Sequence, residues 1–253
     1  MSRKRIIAVV PVRMGSSRLP GKMLMPICGK PLLGHLLDRL MRCRSIDGIV
    51  VATSENPEND PVELYCATRN VACFRGDEND VLGRLLGALD SQGADIGVLA
   101  FGDAPLLDPA IVDAMVKRFL FEKSLDFVGN DLVTTFPPGM EVEVFRVDAL
   151  RDSAQRANDP AIREHGTLYI RQNPKLYGVL NVEAGGAQRR PELEIEVDTL
   201  QDARVIDAIV VHFGGRDNFT LDEIIAFLDA NPELRTSNQN VPRLWKQYRD
   251  DPL

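Results

Sequence analysis

Continuous apolar runs alternate with helical stripes through the first half of the chain, and this alternation restricts the fold more than any other feature. The runs are Arg5–Val12, Gly48–Thr53, Val71–Phe74 and Ala94–Phe101. None alternates apolar with polar, so each is expected to be buried on both faces, as parallel strands are. Between them lie apolar positions at helical spacing. Leu32, Leu33, Leu36, Leu37, Leu40 and Met41 form the first stripe, with Pro31 where a helix can start. The turn-rich stretch Ser54–Pro61 opens a second helix, expected to reach about Asn70. Val81, Leu82, Leu85, Leu86 and Leu89 form the third, capped by Asn79 or Asp80. This order calls for a mostly parallel sheet with helices on both faces, a Rossmann-like three-layer α/β/α fold. Ligands of such sheets bind beyond the carboxyl ends of the strands.

The segment after the first run lies at that edge. It reads Arg13-Met14-Gly15-Ser16-Ser17-Arg18-Leu19-Pro20-Gly21-Lys22. Glycines let backbone N–H groups approach an anion, and the three cations supply charge, so the loop is suited to phosphates. It is not a P-loop: five residues separate Gly15 from Gly21, and Met23 follows Lys22 where Ser or Thr is required. A surface loop with solvated charges is the alternative, but three cations directly after a buried strand favour an anion site.

The fourth run leads into Gly102-Asp103-Ala104-Pro105-Leu106-Leu107-Asp108-Pro109. Asp108 and Pro109 read as N-cap and first residue of a helix to about Phe121. Asp103, at a strand end, is either a turn former or a ligand for a hard cation. From about Leu125 short strands dominate: Leu125–Gly129, Met140–Phe145 and Leu176–Val182. Thr135–Gly139 is a turn-rich link, helices are expected over Val147–Arg156 and from Pro160, and Ala184–Pro191 is a basic loop. An alternating strand, Leu193–Asp198, then ends in an acid, and Asp202 favours the helix dipole on the turns that follow. Thr220 and Glu223 form a capping box for a helix ending at Asn231-Pro232.

Four motifs in this order give the chain a family resemblance. Arg13-x-Gly15-Ser16-x-Arg18-Leu19-Pro20-Gly21-Lys22 resembles the signature loop of the sugar cytidylyltransferases, including those acting on 3-deoxy-manno-octulosonate and acylneuraminate, and especially the spore-coat-polysaccharide-type branch. Gly102-Asp103-Ala104-Pro105-Leu106, Arg163-Glu164-His165-Gly166-Thr167 and Val197-Asp198-Thr199-Leu200-Gln201-Asp202 resemble further stretches of the same family. The resemblance implies a sheet of the nucleotide-diphospho-sugar transferase type and one domain over 1–253, with an acceptor and dimerisation excursion at about 125–192. It implies an enzyme that joins CTP to a sugar acid or phosphorylated acceptor, releases pyrophosphate, and works as a homodimer. Arg13, Arg18 and Lys22 would then cradle the triphosphate, Lys22 nearest the α-phosphate, with Gly15 and Ser16 as backbone donors. Pro11, Val12, Thr53, Ser54, Asp80, Arg84 and Phe101 would line the nucleotide site. Asp103 and Asp198 would share Mg²⁺. Asn130, Glu143, Arg163 and His165 would face the acceptor, although a satisfied structural histidine remains the alternative for His165.

The chain departs from the family pattern at three places. Phe101 stands where glutamine or threonine is common, and an aromatic ring can stack on a base but cannot read its edge. Gly166 and Leu168 replace valine and proline, and Gly129-Asn130 replaces Ser-Asn.

Other readings are a glycosyltransferase of the same topology and a non-catalytic nucleotide-binding protein. The first normally carries Asp-x-Asp at a strand end, whereas Asp103 is followed by Ala104-Pro105. A net charge of −7 excludes a bulk nucleic-acid or acidic-membrane surface while allowing a local cationic pocket. Four cysteines without CxxC spacing fit a reduced, cytoplasmic setting, and no targeting or membrane segment is expected. Trp245 and Tyr248 mark a polar tail for which packing on the body and packing on a partner chain are both open from the sequence.

Overall fold

A computed structural model describes residues 3–243, so Trp245 and Tyr248 lie outside the described residues. Seven strands form one sheet: β1 (Ile6–Pro11), β2 (Gly48–Ser54), β3 (Ala72–Gly76), β4 (Ile96–Ala100), β5 (Phe127–Gly129), β6 (Val142–Arg146) and β7 (Val179–Asn181). Their order across the sheet is β3-β2-β1-β4-β6-β5-β7. All run parallel except β6, which pairs antiparallel with β4 and β5. The strands of the expected excursion therefore extend the main sheet instead of leaving it.

Side chains of β1 divide between two cores, as period-two alternation requires. Ile6, Ala8 and Val10 face one core, and Ile7 and Val9 face the other. The first core is covered by α1 (Leu32–Leu40), α2 (Asp60–Thr68), α4 (Pro109–Phe121), α8 (Leu200–His212) and α9 (Leu221–Ala230). The second is covered by α3 (Val81–Ser91), α5 (Val147–Arg156) and, through Ile170, α7 (Leu168–Gln172). These are the three layers expected from the sequence. Two further short helices, α6 (Pro160–Arg163) and α10 (Pro232–Thr236), complete the set; α9 stops before Asn231-Pro232 as expected, and α10 starts anew at Pro232.

The caps follow the residue chemistry. Asp80 caps α3 by accepting from Gly83 N–H at 2.8 Å. Asp108 caps α4 through Ala110 N–H and also accepts from Leu221 N–H, tying α4 to the start of α9. Both Thr199/Asp202 and Thr220/Glu223 form capping boxes.

One expected element is absent. Residues 191–198 form no strand. Leu193, Ile195 and Val197 are buried in the first core, which explains the alternation. Their backbone, however, bonds singly to loops: Ile195 N–H to Pro138 O at 2.9 Å and Val197 N–H to Asp103 O at 2.8 Å. Alternation reports two environments for side chains and does not require a ladder. Gly139 lies against this segment at φ +104°, where a Cβ would come within 2.7 Å of the Ile195 carbonyl.

Candidate active site

The sheet order reverses at β1, which has β2 on one side and β4 on the other. A crevice at such a switch point, beyond the carboxyl ends, is the usual place for a ligand. A cavity of about 480 Å³ opens there, lined by residues from the loop after β1, the end of β4, α3, and the turn before α7. The two walls meet closely at Gly102, whose Cβ would stand 2.6 Å from Val12 Cγ1 and 2.9 Å from Pro11 O.

The loop is folded on itself. Gly21 takes φ +75°, its N–H donates to Met14 O, and Met14 N–H donates to Asn59 Oδ1, both at 2.9 Å. A short helical turn, Lys22–Leu24, then carries the Lys22 side chain inward. Its ammonium donates to Val197 O at 2.7 Å and lies 3.2 Å from Asp103 Oδ2 and 3.3 Å from Asp198 Oδ1. Burial alone would push this lysine toward neutrality. The two carboxylates outweigh that effect and hold its pKa above the ordinary lysine value. Arg18 reaches the same acid, Nη2 to Asp198 Oδ1 at 2.7 Å. Arg13 is exposed at the cavity mouth, with Nη1 3.5 Å from Glu78 Oε1.

Two carboxylates thus converge on one cation, from segments far apart in sequence. Among the described residues no set of three or more His, Cys, Asp or Glu side chains gathers as a metal cage. A pair of carboxylates fits Mg²⁺, which takes one or two protein oxygens and completes its shell with phosphate and water.

Of the residues singled out from the sequence, Pro11, Val12, Arg13, Ser16, Arg18, Lys22, Arg84, Phe101, Asp103, Glu143, His165 and Asp198 line the cavity. The others do not. Ser54 is buried and accepts from Asn59 Nδ2 at 2.8 Å, and Thr53 is buried beside it. Gly15 faces the Glu58 carboxylate. Asp80 is engaged at the α3 cap and by Arg163 Nη2 at 2.5 Å, while Arg163 also donates to Ala154 O and Ala157 O. Asn130 is buried and bridges Met140 O and Val142 N–H, each at 2.8 Å, which holds the entry to β6. The Ser16 N–H donates to Met14 O at 2.9 Å, so this backbone donor is engaged within the loop.

The far end of the cavity is shaped by the turn before α7. His165 is half-buried, and burial lowers its pKa, which favours the neutral imidazole. Gly166 takes φ +59°, and a Cβ there would meet Leu85 Cδ1 at 2.7 Å. Glu143 accepts from Thr167 Oγ1 at 2.6 Å and from Arg171 Nη1 at 3.2 Å; Arg171 Nη1 is also 3.2 Å from Asp131. Arg171 lines the cavity and carries no sequence signal beyond lying in a short helix after His165. Arg84 is buried, donates to Asp77 O and Glu78 O, and has its pKa lowered by burial. Its Nε has no hydrogen-bond partner among the described residues.

The mostly parallel seven-stranded sheet is that of a nucleotidyltransferase of the cytidylyltransferase fold. A cytidylyltransferase family model matches residues 7–241, and the chain belongs to that family. It is 31% identical over 239 residues to the spore coat polysaccharide biosynthesis protein SpsF of Bacillus subtilis, covering 92% of this chain and 98% of that one. An uncharacterized protein of Methanocaldococcus jannaschii is 33% identical over 246 residues, covering 97% and 98%. A solved cytidylyltransferase from Leptospira borgpetersenii superposes with a TM-score of 0.88 at 28% identity, over 95% of this chain and 99% of that one.

Proposed function

We propose that the chain is a Mg²⁺-dependent cytidylyltransferase that joins CTP to a sugar acid or phosphorylated acceptor, giving a CMP- or CDP-linked sugar for surface polysaccharide or glycoconjugate synthesis. The observation that carries this reading is the cluster of Lys22, Asp103 and Asp198 at the crevice between β1 and β4. An acceptor oxygen attacks the α-phosphorus, the bond to the β-phosphate breaks, pyrophosphate leaves, and the acceptor proton passes to solvent. The protein's share of this work is to align the groups and to neutralise charge.

Asp103 and Asp198 would hold Mg²⁺, which supplies Lewis-acid polarisation of the phosphoryl oxygens. Lys22 and Arg18, whose cationic heads sit at the Asp198 carboxylate, are placed to transfer their hydrogen bonds to phosphate oxygens as nucleotide enters. Arg13 at the mouth meets the outer phosphates. Phe101 offers a ring face to the base, and the neutral His165 lines the acceptor end. Thr53, Ser54, Gly15, Asp80, Asn130 and Arg163 shape these walls from behind.

The unit is one domain, acting as a homodimer through the segment at about 125–192, whose strands extend the main sheet. No helix among the described residues is long and apolar enough to cross a membrane, and the four cysteines are free; both accord with a cytoplasmic enzyme. The test is pyrophosphate release from CTP with Mg²⁺ across a panel of keto-acid sugars and phosphorylated acceptors. CTP binding without turnover on any acceptor would favour a nucleotide sensor instead.

A further inference from the structure

Behind Asp198, on the side away from the cavity, residues 238–243 close against the wall. Asn238 Nδ2 donates to Glu194 O at 3.0 Å and to Asp202 Oδ1 at 2.8 Å. Arg243 grips both oxygens of Asp202, Nη2 to Oδ1 at 2.6 Å and Nη1 to Oδ2 at 3.2 Å. The same Asp202 Oδ2 accepts from the backbone N–H of Asp198 at 3.1 Å and of Thr199 at 2.8 Å. Arg243 also touches the Asp198 carboxylate directly, Nη1 3.6 Å from Oδ2. The other oxygen, Oδ1, is the one that meets Lys22 and Arg18. Arg18 in turn donates through Nη1 to Pro242 O at 3.1 Å.

The Arg243 side chain is 1% exposed and does not line the cavity, so it acts only through its neighbours. A purely structural part, neutralising Glu194 at 3.3 Å and Glu196 at 3.6 Å, accounts for its burial. It does not account for the division of labour at Asp198, where one oxygen faces Arg243 and the other faces the cleft. Nor does it account for the adjacent carbonyl holding Arg18.

We propose that Arg243 is a positioning residue for the metal and nucleotide site, orienting Asp198 through its Oδ2 and through Asp202 while Pro242 O aims Arg18. The proposal rests on the reading of Asp103 and Asp198 as Mg²⁺ ligands. A bidentate guanidinium suits this task better than an ammonium, because its planar fork fixes the direction of the carboxylate as well as its charge.

Titration calorimetry on the full chain tests it, with Mg·CTP and with CTP in EDTA, for wild type, Arg243→Lys, Arg243→Gln and Asp198→Asn. Arg243→Lys and Arg243→Gln are expected to weaken Mg·CTP binding about tenfold or more and CTP binding in EDTA by less than about twofold, as outer-shell partners of metal ligands do. Equal losses in both titrations would reduce Arg243 to a structural residue. So would unchanged Mg·CTP binding in Arg243→Lys alongside weakened binding in Asp198→Asn. Unchanged Mg·CTP binding in Asp198→Asn would overturn the metal reading and this proposal with it. Because an Arg243 variant can fail to fold, the unaltered chain supplies a second measurement. Amide hydrogen exchange over 238–243 is expected to slow with Mg·CTP and not with CTP in EDTA; equal protection in both overturns the proposal.

Discussion

The ammonium of Lys22 lies 3.3 Å from Asp198 Oδ1 although the two residues are 176 positions apart in sequence. With Asp103 on its other side, the lysine sits between the two carboxylates expected to share a metal. Nucleotide entry therefore trades one set of charge pairs for another, and the charge on Lys22 is needed in both. Lys22→Ala is expected to lower kcat by about a hundredfold or more, the loss of roughly 2.7–4 kcal/mol typical of a positioned donor. Steady-state pyrophosphate release measures it, with circular dichroism confirming the fold. Near wild-type turnover would remove the loop from the mechanism.

Asp103 pairs with the same lysine from the end of β4, and it is only partly buried. Asp103→Asn keeps the shape and removes the charge. Turnover is expected to fall by about a hundredfold or more, and the Mg²⁺ concentration for half-maximal rate to rise. Binding of CTP in EDTA should stay close to wild type. A Mg²⁺ titration of the rate gives both numbers, and an unshifted titration would exclude Asp103 as a ligand.

Gly102 lets the two walls of the crevice touch. Gly102→Ala sets a methyl 2.6 Å from Val12 Cγ1 and 2.9 Å from Pro11 O, so the ends of β1 and β4 must part. The expected cost is about 1–3 kcal/mol, read as a lower urea midpoint. Gly185→Ala is the control, since a Cβ there meets nothing within 4 Å. The control should stay within about 0.5 kcal/mol of wild type. Equal midpoints for the two variants would mean that the junction is compliant.

Asp202 gives a pH-dependent prediction. Burial works against its charge, but hydrogen bonds from Arg243, Asn238 and Thr199 win and hold its pKa below the ordinary aspartate value. A carboxyl with a depressed folded pKa contributes stability that is fully present above its unfolded pKa, near 3.8. That stability is lost as pH falls through the lower folded value. Urea midpoints measured from about pH 5 downward should therefore fall for wild type, and fall less steeply for Asp202→Asn. Parallel acid limbs would show that Arg243 and Asp202 do not couple in this way.

Much of the architecture is readable from local pattern. The continuous apolar runs became β1 to β4, and the helical stripes became α1 and α3, because burial on one side or both is a property of neighbouring residues. The caps at Asp80, Asp108 and Thr220 were equally legible, since each acts within three residues of where it stands, whereas the Thr199 cap emerged only in the structure. The expected strand at 193–198 shows the limit of pattern. Its alternation is real, but only the surroundings decide whether a backbone meets a strand or two loops.

The site divides along the same line. By itself the sequence determined the cationic loop after β1 and the acid after β4, because both follow strands whose carboxyl ends a parallel sheet must gather at one edge. Only the tertiary structure decided that Asp80 and Arg163 bind each other away from the cavity and that Asn130 braces β6. It also decided that Arg243, 41 positions beyond Asp202, stands behind the Asp198 wall. The reason is physical. An ion pair is made by whichever charges the packed chain brings together, and a polar tail has no periodicity from which its partner can be read.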